Sequence, residues 1–322
     1  MALATGIGSM PGTDFAESLR IVLDTVGELP YVPELPARGV HAGMIGRTLS
    51  LLDGLEADLQ PDGWRVGVGE GSDVRRARSL LAQDLDVAEE LAHDHEGPVK
   101  IQVTGPLTLA ATVERPRGDK MLADHGARRE ISQSLAEGLR THVADVRRRF
   151  SHADVVVQVD EPAITAVLDG GVPTASGWSR HRSVHPPEAD ALLRNVVDVI
   201  VAGGARPVVH TCAPDVPVAL LTGAGFTAIS FDLGLARPDD VWAETFESGV
   251  DLWPGVVPST DIVGLSDTHV VSRVETFFSR FGFVPEAFGP RLVVSPTCGL
   301  AGSSEPWAKE ALRITAGAAS AW

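Results

Sequence analysis

Short runs rich in β-branched residues recur along the chain, each separated from the next by a longer stretch with apolar positions at helical spacing. The short runs fall at residues 4–9, 29–33, 99–104, 154–160, 206–210, 226–232, 251–257 and 291–295. Helical spacing marks residues 14–26, 73–92, 125–150, 187–202, 238–247 and 269–280. This succession predicts an α/β protein with a parallel sheet, and its eight strands predict a (β/α)8 TIM barrel with residues 1–322 as a single domain.

The phase inside the runs says which side chains face inward, because residues two apart in a strand share a face. Val155, Val157 and Val159 form an apolar face suited to covering helices, which leaves Gln158 and Asp160 to the barrel interior. By the same rule Ile229 and Phe231 point out while Ser230 and Asp232 point in, and Ile101 and Val103 oppose Gln102 and Thr104. Polar groups at the carboxyl ends of barrel strands are where this architecture carries its chemistry.

Residues 60–94, between the second and third runs, are longer than an ordinary connection and open with Pro61, Gly63, Gly67, Gly69 and Gly71. An excursion from the barrel or a lid is expected there. Its Gly67-Val68-Gly69-Glu70-Gly71 piece lacks the glycine spacing, the lysine and the preceding strand of a phosphate loop, so no nucleotide site is expected. The runs Arg75-Arg76-Ala77-Arg78 and Arg147-Arg148-Arg149 lie among acidic neighbours and read as solvated helix faces with salt links.

Composition narrows the function classes. With 44% apolar and 22% charged residues the chain has the make-up of a folded globule. Its net charge of −16 disfavours nucleic acid and anionic membrane surfaces as partners. No stretch approaches the roughly 18 apolar residues of a membrane helix. Residues 1–11 lack a basic start and are interrupted by Gly6, Gly8 and Pro11, unlike a secretory leader, so a cytoplasmic location is expected. Two cysteines, Cys212 and Cys298, are too few for a disulfide scaffold.

Those cysteines carry the strongest chemical signal. In His210-Thr211-Cys212 an i, i+2 pair on extended backbone points imidazole and thiolate to one side, within reach of a metal about 2.0 to 2.3 Å away. Asp232 ends the next run facing inward, and the last run leads into Thr297-Cys298-Gly299, so barrel closure would gather His210, Cys212, Asp232 and Cys298 at one mouth. Thiolate and imidazole ligands favour zinc over magnesium or calcium, and the absence of a CxxC knuckle favours a catalytic over a structural ion. Taken singly, each group has an ordinary alternative: a small buried apolar cysteine, a hydrogen-bonded core histidine, or a Cys212 to Cys298 disulfide. A zinc-bound thiol is a thiolate at neutral pH, whereas a free one with a pKa near 8.5 is mostly protonated, so S-alkylation is the chemistry such a site supports.

Four segments resemble the catalytic domain of cobalamin-independent methionine synthase, in the barrel superfamily that also contains uroporphyrinogen decarboxylase. They are Ile7-Gly8-Ser9, Val159-Asp160-Glu161-Pro162-Ala163, His210-Thr211-Cys212 and Pro296-Thr297-Cys298-Gly299-Leu300, with Thr104-Gly105-Pro106 a weaker fifth. They appear in the family's order and span nearly the whole chain. The resemblance implies a zinc-dependent methyltransferase that methylates homocysteine or a similar small thiol. Carried over by position, His210, Cys212 and Cys298 are the zinc ligands, Asp160 holds the substrate ammonium, and Ser9 with its neighbouring backbone holds the carboxylate. Read without the resemblance, Asp160 has the alternative of a core carboxylate bonded to Gln158 or a loop amide, and Ser9 that of a turn residue; the substrate roles are the favoured expectation. Glu161 should point away from Asp160 and act as a structural partner. Glu34, in Pro33-Glu34-Leu35-Pro36, is either a further substrate contact or a solvated loop residue.

Departures from the family pattern bear on the donor. Asp232 stands where the family has a glutamate ligand. The family's Asp-Ile-His stretch after the seventh strand is replaced by Pro258-Ser259-Thr260, and its folate-stacking tryptophan has no counterpart in Leu109-Ala110-Ala111-Thr112. The family's amino-terminal folate-binding half has no counterpart in this chain either. A non-folate donor is therefore expected, a methyl corrinoid used directly or on a carrier protein. Two other readings are a barrel that binds zinc or a thiol without turnover, and a decarboxylase of porphyrinogen-like tetrapyrroles, which the net charge of −16 disfavours.

Overall fold

The computed structural model describes residues 1–67 and 71–322. Its helices are α1 (Phe15–Thr25), α2 (Met44–Leu49), α3 (Ser72–Leu91), α4 (Pro106–Thr112), α5 (His125–Arg149), α6 (Ile164–Leu168), α7 (Pro186–Ala202), α8 (Val218–Gly223), α9 (Asp240–Glu247), α10 (Asp267–Ser279), α11 (Pro285–Phe288) and α12 (Glu305–Ala319). The strands are β1 (Leu3–Ala4), β2 (Ala57–Gln60), β3 (Gly63–Val66), β4 (Val99–Thr104), β5 (Val155–Asp160), β6 (Arg206–Thr211), β7 (Ala228–Asp232), β8 (Asp251–Val257) and β9 (Val293–Pro296). Seven of them pair in parallel in the order β1-β9-β8-β7-β6-β5-β4, wrapped by the helices as a TIM barrel.

The eighth position differs from the expected regular strand at residues 29–33. That segment sits between β4 and β1 and closes the sheet through single bridges, Tyr31 with Lys100 and Ser9 with Glu34. Lys100 N–H donates to Pro30 O at 2.8 Å, Val32 N–H to Lys100 O at 3.0 Å and Glu34 N–H to Gly8 O at 3.0 Å. Pro30 and Pro33 have no N–H to contribute, so a continuous ladder cannot form here. The first strand is likewise shorter than residues 4–9, its ladder with β9 covering only Leu3 and Ala4.

The excursion before the third barrel strand is present and begins with an antiparallel hairpin of β2 and β3. Val68, Gly69 and Glu70 of the glycine-rich piece lie outside the described residues. The basic runs behave as expected on helix faces: Arg149 pairs with Asp145, Asp86 and Glu89, and Arg78 donates to Ser50 O at 3.0 Å.

Two apolar layers follow from the strand phase. Val155, Val157, Val159, Ile101, Val103, Ile229 and Phe231 pack outward under the helices in the main core. Inside the barrel, Leu29, Val156, Val208, Ala228, Trp253 and Val293 form an apolar floor with Leu3 against it. Above that floor the interior turns polar, and in register Thr104 lies beside Asp160, Asp160 beside His210, and His210 beside Ser230. Among the described residues no helix is long and apolar enough to cross a membrane.

Candidate metal centre and acceptor cleft

The end of β6 sends His210 inward, Thr211 into the outer core and Cys212 inward again, as alternation requires. Cys298 arrives from the turn after β9, where the β8–β9 register shifts between Gly255 and Val257. A Cβ at Gly255 would lie 2.7 Å from Pro296 O and 2.9 Å from Thr297 Cα, so only glycine lets this turn close over the mouth. One donor atom each from His210, Cys212 and Cys298 then lies within 4.8 Å of the others. Both cysteines are free, their sulfurs 3.0 Å apart in a thiol hydrogen bond.

The histidine tests whether a metal belongs here. Its Nδ1 lies 2.9 Å from Ser230 Oγ, while its buried Nε2 has no partner. A buried ring nitrogen without a partner is disfavoured, and an ion held jointly with the two thiolates supplies one. Two sulfurs and an imidazole are a soft donor set suited to zinc. The thiols also divide their protons unequally. The hydrogen bond from Cys212, against the opposing effect of burial and with His210 alongside, brings Cys298 down to about 4, while the same contact and burial push Cys212 far above the usual thiol range.

A cleft of about 180 Å³ runs from these three residues across Ile7, Gly8, Ser9, Glu34 and Asp160. Ser9, Glu34, Asp160, His210, Cys212 and Cys298 thus line one space, which matches a small metabolite in size. Asp160 Oδ1 accepts from Gln158 Nε2 at 2.7 Å, and burial, then the nearby Glu34, raises its pKa well above the carboxylate range against the pull of Lys100. Ser9 O accepts from Leu300 N–H at 2.8 Å, and a Cβ at Gly299 would come within 2.1 Å of Ser9 Oγ, so the β9 turn fixes this serine in place. Glu34 is buried rather than solvated, 3.7 Å from Arg47, with its pKa raised by burial and opposed chiefly by that guanidinium.

Asp232 is not among the three residues whose donor atoms converge, nor does it line the cleft. Its Oδ1 instead accepts from Gly234 N–H at 2.7 Å, capping the turn that follows β7, and burial raises its pKa. An inward-phased carboxylate on a short arm is captured by its own turn before it reaches the sulfurs. Glu161 points outward as expected, accepting from Leu107 N–H at 2.9 Å and from both Thr108 N–H and Thr108 Oγ at 2.7 Å at the start of α4.

Sequence reasoning passed over Lys100. Fully buried behind the cleft wall, it donates from Nζ to Ile7 O at 2.9 Å and to Gln158 Oε1 at 2.7 Å, with the Tyr31 ring 5.2 Å away. Burial lowers its pKa to about 7 against the opposing charges of Asp160 and Glu34. The signal was present in the alternation of β4, which puts Lys100 on the face of Gln102 and Thr104.

Residues 65–321 match the family described as cobalamin-independent synthase, catalytic domain. Among solved structures, a B12-independent methionine synthase from Shewanella sp. W3-18-1 in complex with selenomethionine is 14% identical, with 100% of this chain and 97% of that chain covered at a TM-score of 0.67. That likeness concerns the fold alone. An AP endonuclease of family 2 from Brucella melitensis is 13% identical over 95% of each chain at a TM-score of 0.46. No curated protein sequence matches this chain.

Proposed function

The chain belongs to the cobalamin-independent synthase catalytic-domain family and is a methyltransferase of that type, and on this premise we propose that it methylates the thiol of homocysteine, or of a similar small thiol, with zinc as cofactor. The observation that carries the reading is the convergence of His210, Cys212 and Cys298 on one side of a small cleft whose other walls include Asp160 and Ser9. Soft donors at one end and a carboxylate at the other match a molecule with sulfur at one end and an ammonium at the other.

Zinc held by the three residues would keep an acceptor thiol as thiolate at neutral pH. The protein's own groups supply the rest. Asp160, held by the Gln158 amide, receives the acceptor ammonium, and Ser9 with its adjacent backbone receives the carboxylate. Glu34 adds negative charge beside the ammonium position. In the transfer, a sulfur lone pair forms the S–CH3 bond as the donor–CH3 bond breaks, and that electron pair leaves with the donor. Ser230 Oγ, 2.9 Å from His210 Nδ1, can accept the ring proton and so leave Nε2 to face the ion.

Family membership on the cobalamin-independent side gives no support to the corrinoid donor or the corrinoid carrier protein expected from sequence. Pro258-Ser259-Thr260 still stand where the family's histidine stretch would be, so proton handling at the donor falls to other groups or to water. A reduced thiol pair and a thiol substrate suit the reducing cytoplasm. The test is to incubate zinc-loaded protein and homocysteine with 5-methyltetrahydrofolate, its polyglutamate form or methylcobalamin, and to assay methionine. Methionine from any donor supports the reading and names the donor. Zinc-dependent homocysteine binding with no product from all three would favour a non-catalytic thiol-binding barrel instead.

A further inference from the structure

We infer that Lys100, acting through Gln158, is a positioning residue that presets both halves of the amino-acid cleft before the acceptor arrives. The inference rests on the reading of the cleft as an amino-acid thiol site.

Lys100 Nζ donates to the Gln158 carbonyl oxygen at 2.7 Å. That contact turns the Gln158 amide NH2 toward Asp160 Oδ1 at 2.7 Å and Ile7 O at 2.8 Å. A flipped amide would turn its NH2 toward Nζ and its oxygen toward the two oxygens of Asp160 and Ile7. The orientation of Gln158, and through it the free oxygen of Asp160, is therefore dictated from beneath. Lys100 Nζ also donates directly to Ile7 O at 2.9 Å. Ile7 immediately precedes Gly8 and Ser9, which also line the cleft. One ammonium thus fixes the group that meets the acceptor's amine and the backbone that meets its carboxylate.

Charge points the same way. A fully buried ammonium is expensive unless its surroundings need it, and an apolar side chain would continue the barrel floor. Asp160 and Glu34 are the carboxylates whose charge acts on Lys100. Arg47, 3.7 Å from Glu34, also meets Asp84 at 2.6 Å, which Arg38 meets at 2.6 Å as well. Lys100 is thus the cation that acts on Asp160, while Arg47 acts most on Glu34.

Lys100→Met and Gln158→Met, each loaded with zinc, test this by titration with homocysteine and with propanethiol, which has a thiol but neither amine nor carboxylate. The expected result in both variants is a homocysteine preference reduced about tenfold or more, with zinc content and propanethiol affinity unchanged. A merely structural role would lower all three together. Should Lys100→Met fail to fold, Gln158→Met decides alone. Full homocysteine preference in the folded variants overturns the inference and leaves the proposed function standing, whereas a wild-type protein with no such preference overturns both.

Discussion

Replacing Ser230 with alanine should weaken zinc binding without touching a ligand. Ser230 Oγ lies 2.9 Å from His210 Nδ1, and the Nε2 that faces the two sulfurs is buried without a partner. For Nε2 to present a lone pair, the ring proton must sit on Nδ1 and Ser230 must accept it. Alanine removes the acceptor, leaves a buried N–H unpaired at about 1 to 3 kcal/mol, and lets the proton move to Nε2, where it competes with the ion. Outer groups of this kind are worth roughly 10- to 100-fold in metal affinity, or about 1.4 to 2.7 kcal/mol, so both routes give the same size of effect. Competition against a chromophoric chelator at fixed pH measures it. Ser230→Ala protein that binds zinc as tightly as wild type would refute the reasoning, because the ring would then be held by packing alone.

Three further outcomes follow from the same geometry. Glu161→Ala should lower stability by roughly 3 to 5 kcal/mol, since it strands two amides and a hydroxyl at the start of α4, yet retain zinc; thermal melting and metal analysis check both, and an unchanged melting temperature would contradict the cap. Asp232→Asn should keep full zinc content, because the carboxylate is already engaged with Gly234 N–H; loss of the metal would make Asp232 a ligand after all. His142 is held neutral, its pKa brought from 6.5 to about 4 by burial and then by Arg47. The folded state therefore binds fewer protons than the unfolded one. Stability is complete above pH 6.5 and falls by roughly 3 kcal/mol as the pH drops toward 4. Denaturant titrations across that range should show a shallower slope in His142→Leu, and an equal slope would assign the acid loss to other groups.

Much of this arrangement was legible because barrel strands are strictly periodic. Val99–Thr104 and Asp251–Val257 have the expected bounds, and the inward phase of Gln158, Asp160, Ser230 and His210 follows from alternation alone. Residues 29–33 read as a strand from composition, but two prolines remove the donors a ladder needs. The β2–β3 hairpin was hidden in a segment recognised only as long, although Pro61-Asp62-Gly63 is a turn signal between two short β runs. The convergence of His210, Cys212 and Cys298 was readable because each lies within two residues of a strand's carboxyl end. Asp232 stands apart from the converging atoms because phase fixes the face of a carboxylate and says nothing of a competing amide two residues on. Lys100 was overlooked because phase alone names no partner for its charge, and only the closed sheet shows that it has two buried carboxylates to meet.

The central claim is that one zinc ion, held by two sulfurs and one nitrogen, receives the acceptor's sulfur. X-ray absorption at the zinc edge, on zinc-loaded protein with and without homocysteine, tests it most directly. Two sulfur ligands should be seen in the free protein, with a third appearing when homocysteine is added. Protein that holds no zinc, or whose sulfur coordination is unaltered by saturating homocysteine, would contradict the account.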